Sequence, residues 1–226
     1  MSACDAVLLQ APFSMIVAGP SRCGKTTFVY RLLLHASQVM TKSPGRVLYF
    51  YNQWQPLLRE MWRSKLIHAL IPRLPTVQDL RSMLRANDDG LVVVDDFMKD
   101  ANSDLGYMFT ALSHHHNVSV IFLSQNIFSQ HGPYRDMSLS ATYLVYFKNP
   151  RDGSQIAHFA RQFCPDAPSA VVRGYRQATK LPYSSVLFDF HPRTPDYLRM
   201  RTRIFPDEGG ICVIEHDGGT VNGTLR

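Results

Sequence analysis

The 226-residue sequence predicts an α/β fold, a three-layer sandwich in which helices cover both faces of a mostly parallel central sheet. Short β-branched apolar runs alternate with longer stretches whose apolar residues recur at three and four positions. The runs themselves, such as Leu91–Val94 and Val118–Leu123, have the buried character of parallel strands covered on both faces. Between the first run and the first helical stretch lies a turn carrying Gly19 and Gly24, the position where such folds place ligand-binding loops.

Candidate strands are Ser14–Ala18, Arg46–Tyr51, Leu91–Asp95, Val118–Ser124 and Ala141–Phe147, each bounded by Gly, Pro, Asn or charged residues. Helices are expected at Thr26–Ser37, Pro56–Ala69, Val77–Arg85, Asp104–His115 and Asp152–Phe163, where the spacing is helical. Beyond Cys164 the pattern weakens to a helix at Ala167–Ala178, a strand at Ser185–Phe190 and a last strand at Ile211–Glu215. Prolines 192, 195 and 206 interrupt any long element there. The expected organisation is one core over 1–165, with an appendage and frayed tail over 166–226 that is not an independent domain.

Composition narrows the function classes. A hydrophobic fraction of 45% with 19% charged residues excludes wholesale disorder and fibrous repeats. No apolar run approaches the roughly 18 to 20 residues of a membrane span. The N-terminus carries Asp5 and no basic flank, so no secretory signal is read and an intracellular protein is expected. Cys4, Cys23, Cys164 and Cys212 are widely spaced and suggest neither a zinc site nor a disulfide framework. A net charge of +6 favours a polyanionic partner, although solubility alone also accounts for it.

Gly19-Pro20-Ser21-Arg22-Cys23-Gly24-Lys25-Thr26 satisfies GxxxxGK[ST] after a strand and before a helix, the context that a phosphate-binding P-loop requires. The two glycines allow a tight turn that aims backbone N–H groups at phosphate oxygens, and the helix N-terminus adds its dipole. Lys25 reaches the β and γ phosphates, Thr26 offers a hydroxyl to Mg2+, and Thr27 completes the loop's contacts with ATP. Cys23 reads as a tolerated loop residue. Asp95 and Asp96 end a buried strand beside this loop; Asp95 is the candidate Mg2+ partner and Asp96 the candidate that orients or deprotonates the attacking water. A helix N-cap is the other reading of Asp96. Gln125, after the Val118–Ser124 strand, is a candidate γ-phosphate or water sensor, and an ordinary turn former otherwise.

With these motifs in place, Leu123-Ser-Gln-Asn126, Tyr134-Arg-Asp-Met-Ser-Leu-Ser140 and Phe147-Lys-Asn-Pro-Arg-Asp152 leading to Gln155-Ile-Ala-His158 complete a pattern over residues 13–165. This pattern resembles the FtsK/HerA superfamily of P-loop ATPases, and within it the genome-packaging ATPases of large DNA viruses and Polinton or adintovirus-like elements. The resemblance implies an ATPase that drives double-stranded DNA into a capsid of viral proteins. It implies a homo-oligomer, usually a hexameric ring, working in a host nucleus or virus factory or associated with the virion. It also implies that the Val118–Ser124 strand lies between the strands leading to the phosphate loop and to Asp95. Many relatives carry Glu where Asp96 stands, and the shorter side chain must sit closer to the water or act less directly. Ring ATPases of this kind borrow an arginine from a neighbouring subunit, for which Arg135 is preferred over Arg151; a surface salt bridge is the plain alternative for either.

Other features point less far. His114-His115-His116 reads as a solvated helix end, since consecutive helical residues diverge. Trp54, Trp62 and Tyr49-Phe50-Tyr51 read as core rather than as base-stacking surfaces. Arg173, Arg176, Lys180, Arg193, Arg199, Arg201 and Arg203 form a basic set suited to phosphate contacts. Two other functions remain open: a small-molecule or nucleoside kinase, and a nucleotide-dependent interaction module. The first lacks an arginine-rich lid between the Asp95 strand and Gln125, and the second does not require an intact Lys25, Thr26, Asp95 and Asp96.

Overall fold

The computed structural model describes residues 7–84, 89–97, 103–107, 109, 117–128 and 132–214. Among these residues runs a nine-stranded sheet in the order β3-β2-β4-β5-β1-β6-β7-β8-β9. The strands are β1 (Ser14–Ala18), β2 (Arg46–Tyr51), β3 (Ala69–Ile71), β4 (Gly90–Asp95), β5 (Val118–Ser124), β6 (Tyr143–Phe147), β7 (Ser185–Asp189), β8 (Met200–Thr202) and β9 (Cys212–Val213). From β3 through β6 all neighbours pair in parallel, and β7, β8 and β9 continue the sheet antiparallel. The expected mixed, mostly parallel α/β sheet is therefore present, with β5 between β1 and β4 as the resemblance implied.

The helices are α1 (Lys25–Leu34), α2 (Ala36–Val39), α3 (Pro56–Arg63), α4 (Val77–Met83), α5 (Ser103–Tyr107), α6 (Gly132–Ser140), α7 (Gly153–Phe163) and α8 (Pro168–Ala178). Because side chains alternate across a strand, the sheet buries two separate cores. One holds Met15, Val17, Leu91, Val93, Ile121 and Leu123 against Phe28, Val29 and Leu32 of α1 and Leu58 and Met61 of α3. The other holds Ile16, Val92, Val94, Val120 and Phe122 against Leu80 of α4, Tyr134 and Met137 of α6, Phe159 of α7 and Val171 of α8.

Several expectations need correction. The helix expected over Pro56–Ala69 stops at Arg63. Lys65 takes a left-handed φ of 57°, and its N–H and that of Leu66 turn back to the carbonyls of Trp62 and Met61, closing the helix and freeing Ala69–Ile71 to become the edge strand β3. The single helix expected over Thr26–Ser37 is broken at His35 into α1 and α2. Helix α6 was not expected, because its inward stripe is only Tyr134 and Met137, set among serines. Trp54 and Trp62 are 48% and 50% exposed and do not belong to the core, whereas Tyr49 and Phe50 do. Arg201 is 0% exposed and bonds Asp189 at 2.6 Å, so it leaves the basic set. Arg199 pairs with Asp196 instead of presenting a free charge. His114–His116, Cys4, Arg85 and Glu215 lie outside the described residues. Among the described residues no helix is long and apolar enough to cross a membrane.

Candidate functional site

The phosphate loop leaves β1 at Ala18 and enters α1 at Lys25. Its glycines are there for room. A Cβ on Gly19 would lie 2.7 Å from both Cys23 Sγ and Phe147 Cβ, and Gly24 adopts φ 108°. Arg22 is also left-handed, at φ 64°, so the chain reverses sharply within a few residues. The Gly19 N–H donates to the Ser124 carbonyl at 3.1 Å, which ties the start of the loop to the end of β5. The first turn of α1 has no side-chain cap, which leaves its N–H groups facing the cleft for an anion. Lys25 Nζ donates to the carbonyls of Gly19 at 2.7 Å and Pro20 at 3.0 Å, so the ammonium is folded back over the loop.

Opposite the loop, Asp95 ends β4 and is only 4% exposed. Tyr49 on β2 donates its hydroxyl to Asp95 Oδ2 at 2.8 Å, and the Thr26 hydroxyl interacts with the same Tyr49–Asp95 pair. Tyr49 and Asp95 are brought together because Tyr51 pairs with Asp95 in register, which puts Tyr49 on the same face two residues back. Burial pushes the Asp95 carboxyl from 3.8 up to about 6; Tyr49 opposes this, the neighbouring Asp96 charge adds to it, and Lys25 and Thr26 oppose it.

Over the window from 3.8 to about 6 the folded chain holds a proton that the unfolded chain releases. This stabilising contribution is full below that window and is lost as pH rises through it. Asp95→Asn, free of nucleotide and Mg2+, is therefore expected to be more stable than the wild type above pH ~6, by at most about 3 kcal/mol. The gap should close towards pH ~4, and thermal unfolding across a pH series measures it.

Asp96 follows in a left-handed conformation, φ 63°, an uncommon state for a non-glycine residue. Asn52 Nδ2 donates to its carbonyl at 3.1 Å, and Gln125 Nε2 donates to its Oδ1 at 3.0 Å. Gln125 is held there by its neighbours. Tyr134 of α6 donates to Ser124 Oγ at 2.8 Å and bonds the Asn126 carbonyl. Gln155 of α7 donates to Asn126 Oδ1 at 3.2 Å and accepts from the Ile127 N–H at 3.0 Å. Asp152 in turn caps α7 through the N–H groups of Ser154 and Gln155. The stretches around Tyr134 and Gln155 thus brace the end of β5.

Ser21, Arg22, Gly24, Lys25, Thr26, Thr27, Asp95, Asp96 and Gln125 line one cleft of about 1480 Å³. Arg135 and Arg151 are exposed and do not line it. Sequence reasoning missed Tyr49, which read as plain core, and also missed the far wall of the cleft, built from Lys180–Ser185 and Arg201–Phe205. That wall is anchored to α1 by Arg31, which bonds Asp207 at 2.6 Å and Glu208 at 2.8 Å and lies over the Phe205 ring. Asp95 and Thr26 offer the hard oxygen donors that Mg2+ prefers, and among the described residues the buried Asp95 carboxylate makes no salt bridge. Among the described residues no group of three or more His, Cys, Asp or Glu side chains converges. A cation here would therefore share its coordination with phosphate oxygens and water.

A strand–glycine loop–helix unit facing an acidic strand end, on this sheet, defines the P-loop NTPase fold. Solved structures agree. The genome-packaging NTPase B204 of Sulfolobus turreted icosahedral virus 2, in complex with ATP-gammaS, superposes with a TM-score of 0.52 at 11% identity, over 79% of this chain and 93% of that one. The DNA-packaging ATPase B204 of Sulfolobus turreted icosahedral virus superposes with a TM-score of 0.53 at 10% identity, over 80% of this chain and 93% of that one. At such identities the likeness is one of fold. No protein-family model matches the sequence, and no curated protein matches it significantly.

Proposed function

We propose that the chain is an ATPase of the FtsK/HerA type whose turnover drives double-stranded DNA into a viral capsid. The observation that carries this reading is the placement of β5 between β1 and β4, which brings Gln125 to Asp96 across the cleft from Lys25. A carboxylate held by an amide beside a phosphate loop suits the orientation of water better than the capture of a second phosphate acceptor. The fold shared with two viral packaging NTPases supports the same reading. The kinase alternative expects β1 beside β4, and these strands are not neighbours.

In this mechanism the loop residues Gly19–Thr27 bind the triphosphate, with Lys25 leaving the Gly19 and Pro20 carbonyls to meet the β and γ oxygens. Thr26 and Asp95 would hold Mg2+, which when bound neutralises charge on the transferring phosphoryl group. Asp96 accepts a proton from the attacking water, and Gln125 fixes the orientation of that carboxylate. Arg135 is exposed on α6, one residue from the Tyr134 that braces the sensor strand, and serves as the finger offered to a neighbouring subunit of the ring. Arg173, Arg176, Lys180, Arg193 and Arg203 are exposed and supply the charge that grips DNA phosphates without reading sequence.

Long double-stranded DNA is expected to raise ATP turnover several-fold at ~50 mM salt, and the stimulation should largely vanish by ~200 mM as counterion release weakens phosphate contacts. Steady-state hydrolysis over a salt series measures it. DNA-independent turnover would favour the kinase reading, and nucleotide binding with no turnover the interaction module.

A further inference from the structure

The far wall of the cleft carries a feature that phosphate binding leaves unused. Between α8 and β7 the chain makes a tight turn in which the N–H and Oγ of Ser184 both donate to the Leu181 carbonyl, at 3.4 and 2.6 Å. Within it Tyr183 is forced to a left-handed φ of 63° and is 75% exposed. A bulky aromatic in that region is a strained outlier of the kind that surrounding structure imposes at binding sites. Its position is specific: a Cβ built on Gly24 would lie 3.7 Å from both Cβ and Cδ1 of Tyr183, so the root of this side chain borders the second glycine of the phosphate loop. The other aromatics lining the cleft, Phe28, Phe147 and Phe205, are buried core side chains. Among the described residues Tyr183 alone presents an open aromatic face there.

We propose that Tyr183 is the base-stacking residue of a nucleoside triphosphate site, a role that rests on reading Gly19–Thr26 as the phosphate cradle. A triphosphate held by Gly24, Lys25 and Thr26 leaves its sugar and base to the remaining volume of the same cleft, where the Tyr183 ring offers a π face beside the loop. Stacking on such a face requires no particular hydrogen-bonding edge of the base, so the site takes the ring system as a class. Strain at position 183 is then the means by which the aromatic stays at the mouth of the cleft.

The test uses titration calorimetry of the full chain with Mg2+ and either a non-hydrolysable ATP analogue or inorganic tripolyphosphate. Tyr183→Gly suits φ 63° and is expected to fold at least as well as the wild type. It should weaken the ATP analogue on the order of tenfold and leave tripolyphosphate within about twofold, because only the base contact is lost. Tyr183→Phe keeps the face and should bind as the wild type does. Unchanged binding of the analogue by Tyr183→Gly, or equal losses for both ligands, overturns the proposal while leaving the phosphate cradle standing. Failure of the wild type to bind tripolyphosphate or the analogue overturns the cradle and the proposal together.

Discussion

Asp96→Asn is expected to bind ATP as tightly as the wild type and to hydrolyse it at least ~100-fold more slowly, since a positioned general base contributes factors of that order. The replacement keeps the shape of the side chain and an oxygen that can still accept from Gln125 Nε2. It removes the charge that, in the proposed mechanism, takes the proton from water. Asp96 is not buried in the core, so the exchange leaves the two hydrophobic clusters untouched. Single-turnover hydrolysis alongside nucleotide binding separates the two effects. Loss of binding with hydrolysis would assign Asp96 to the fold of the cleft, and unchanged hydrolysis would assign the proton to another group. DNA stimulation should disappear in the same variant, because stimulation acts on a step that no longer occurs.

Lys25→Ala is expected to reduce hydrolysis by at least ~100-fold as well, and also to weaken the triphosphate, because in the proposed mechanism the ammonium stabilises charge in both the ground and the transition state. Folding should survive. Lys25 bonds two loop carbonyls in the nucleotide-free cleft, at 2.7 and 3.0 Å, and both can turn to water once the ammonium is gone. The two variants should differ: Asp96→Asn is expected to lower kcat alone, whereas Lys25→Ala is expected to lower kcat and raise KM. Thermal unfolding of both variants, expected to match the wild type, is the control for loss of structure. A Lys25→Ala variant with wild-type turnover would remove the phosphate-cradle reading altogether.

The parts of the site that were legible are those whose chemistry is contiguous. Gly19–Thr26 carries its ligand class within eight residues because turn, donors and charge are all local. Strands β1, β2 and β5 begin and end where the apolar runs do, since a strand buried on both faces cannot hold polar residues cheaply. Tyr49 was not legible, because a tyrosine inside an apolar run reads as core until the register of β2 on β4 shows its hydroxyl beside Asp95. Arg201 was misread for the same reason. Its partner Asp189 lies on the neighbouring strand, two residues from Leu187, with which Arg201 pairs. Charge along a sequence carries no information about which charges have been paired.

By itself, then, the sequence determined the α/β class, the phosphate loop, the acidic strand end and the polar end of the Val118–Ser124 strand. Each of these is written in periodicity or in adjacent residues, which the chain cannot hide. Only the tertiary structure decided that the segment after Cys164 extends the sheet and lines the cleft, that α6 and α7 brace the residues flanking Gln125, and that Tyr183 lies beside Gly24. Those relations join residues from separate elements, in the case of Tyr183 and Gly24 more than a hundred positions apart. They follow from strand order and register, which are set by which hydrophobic faces pack together rather than by any local preference of the chain.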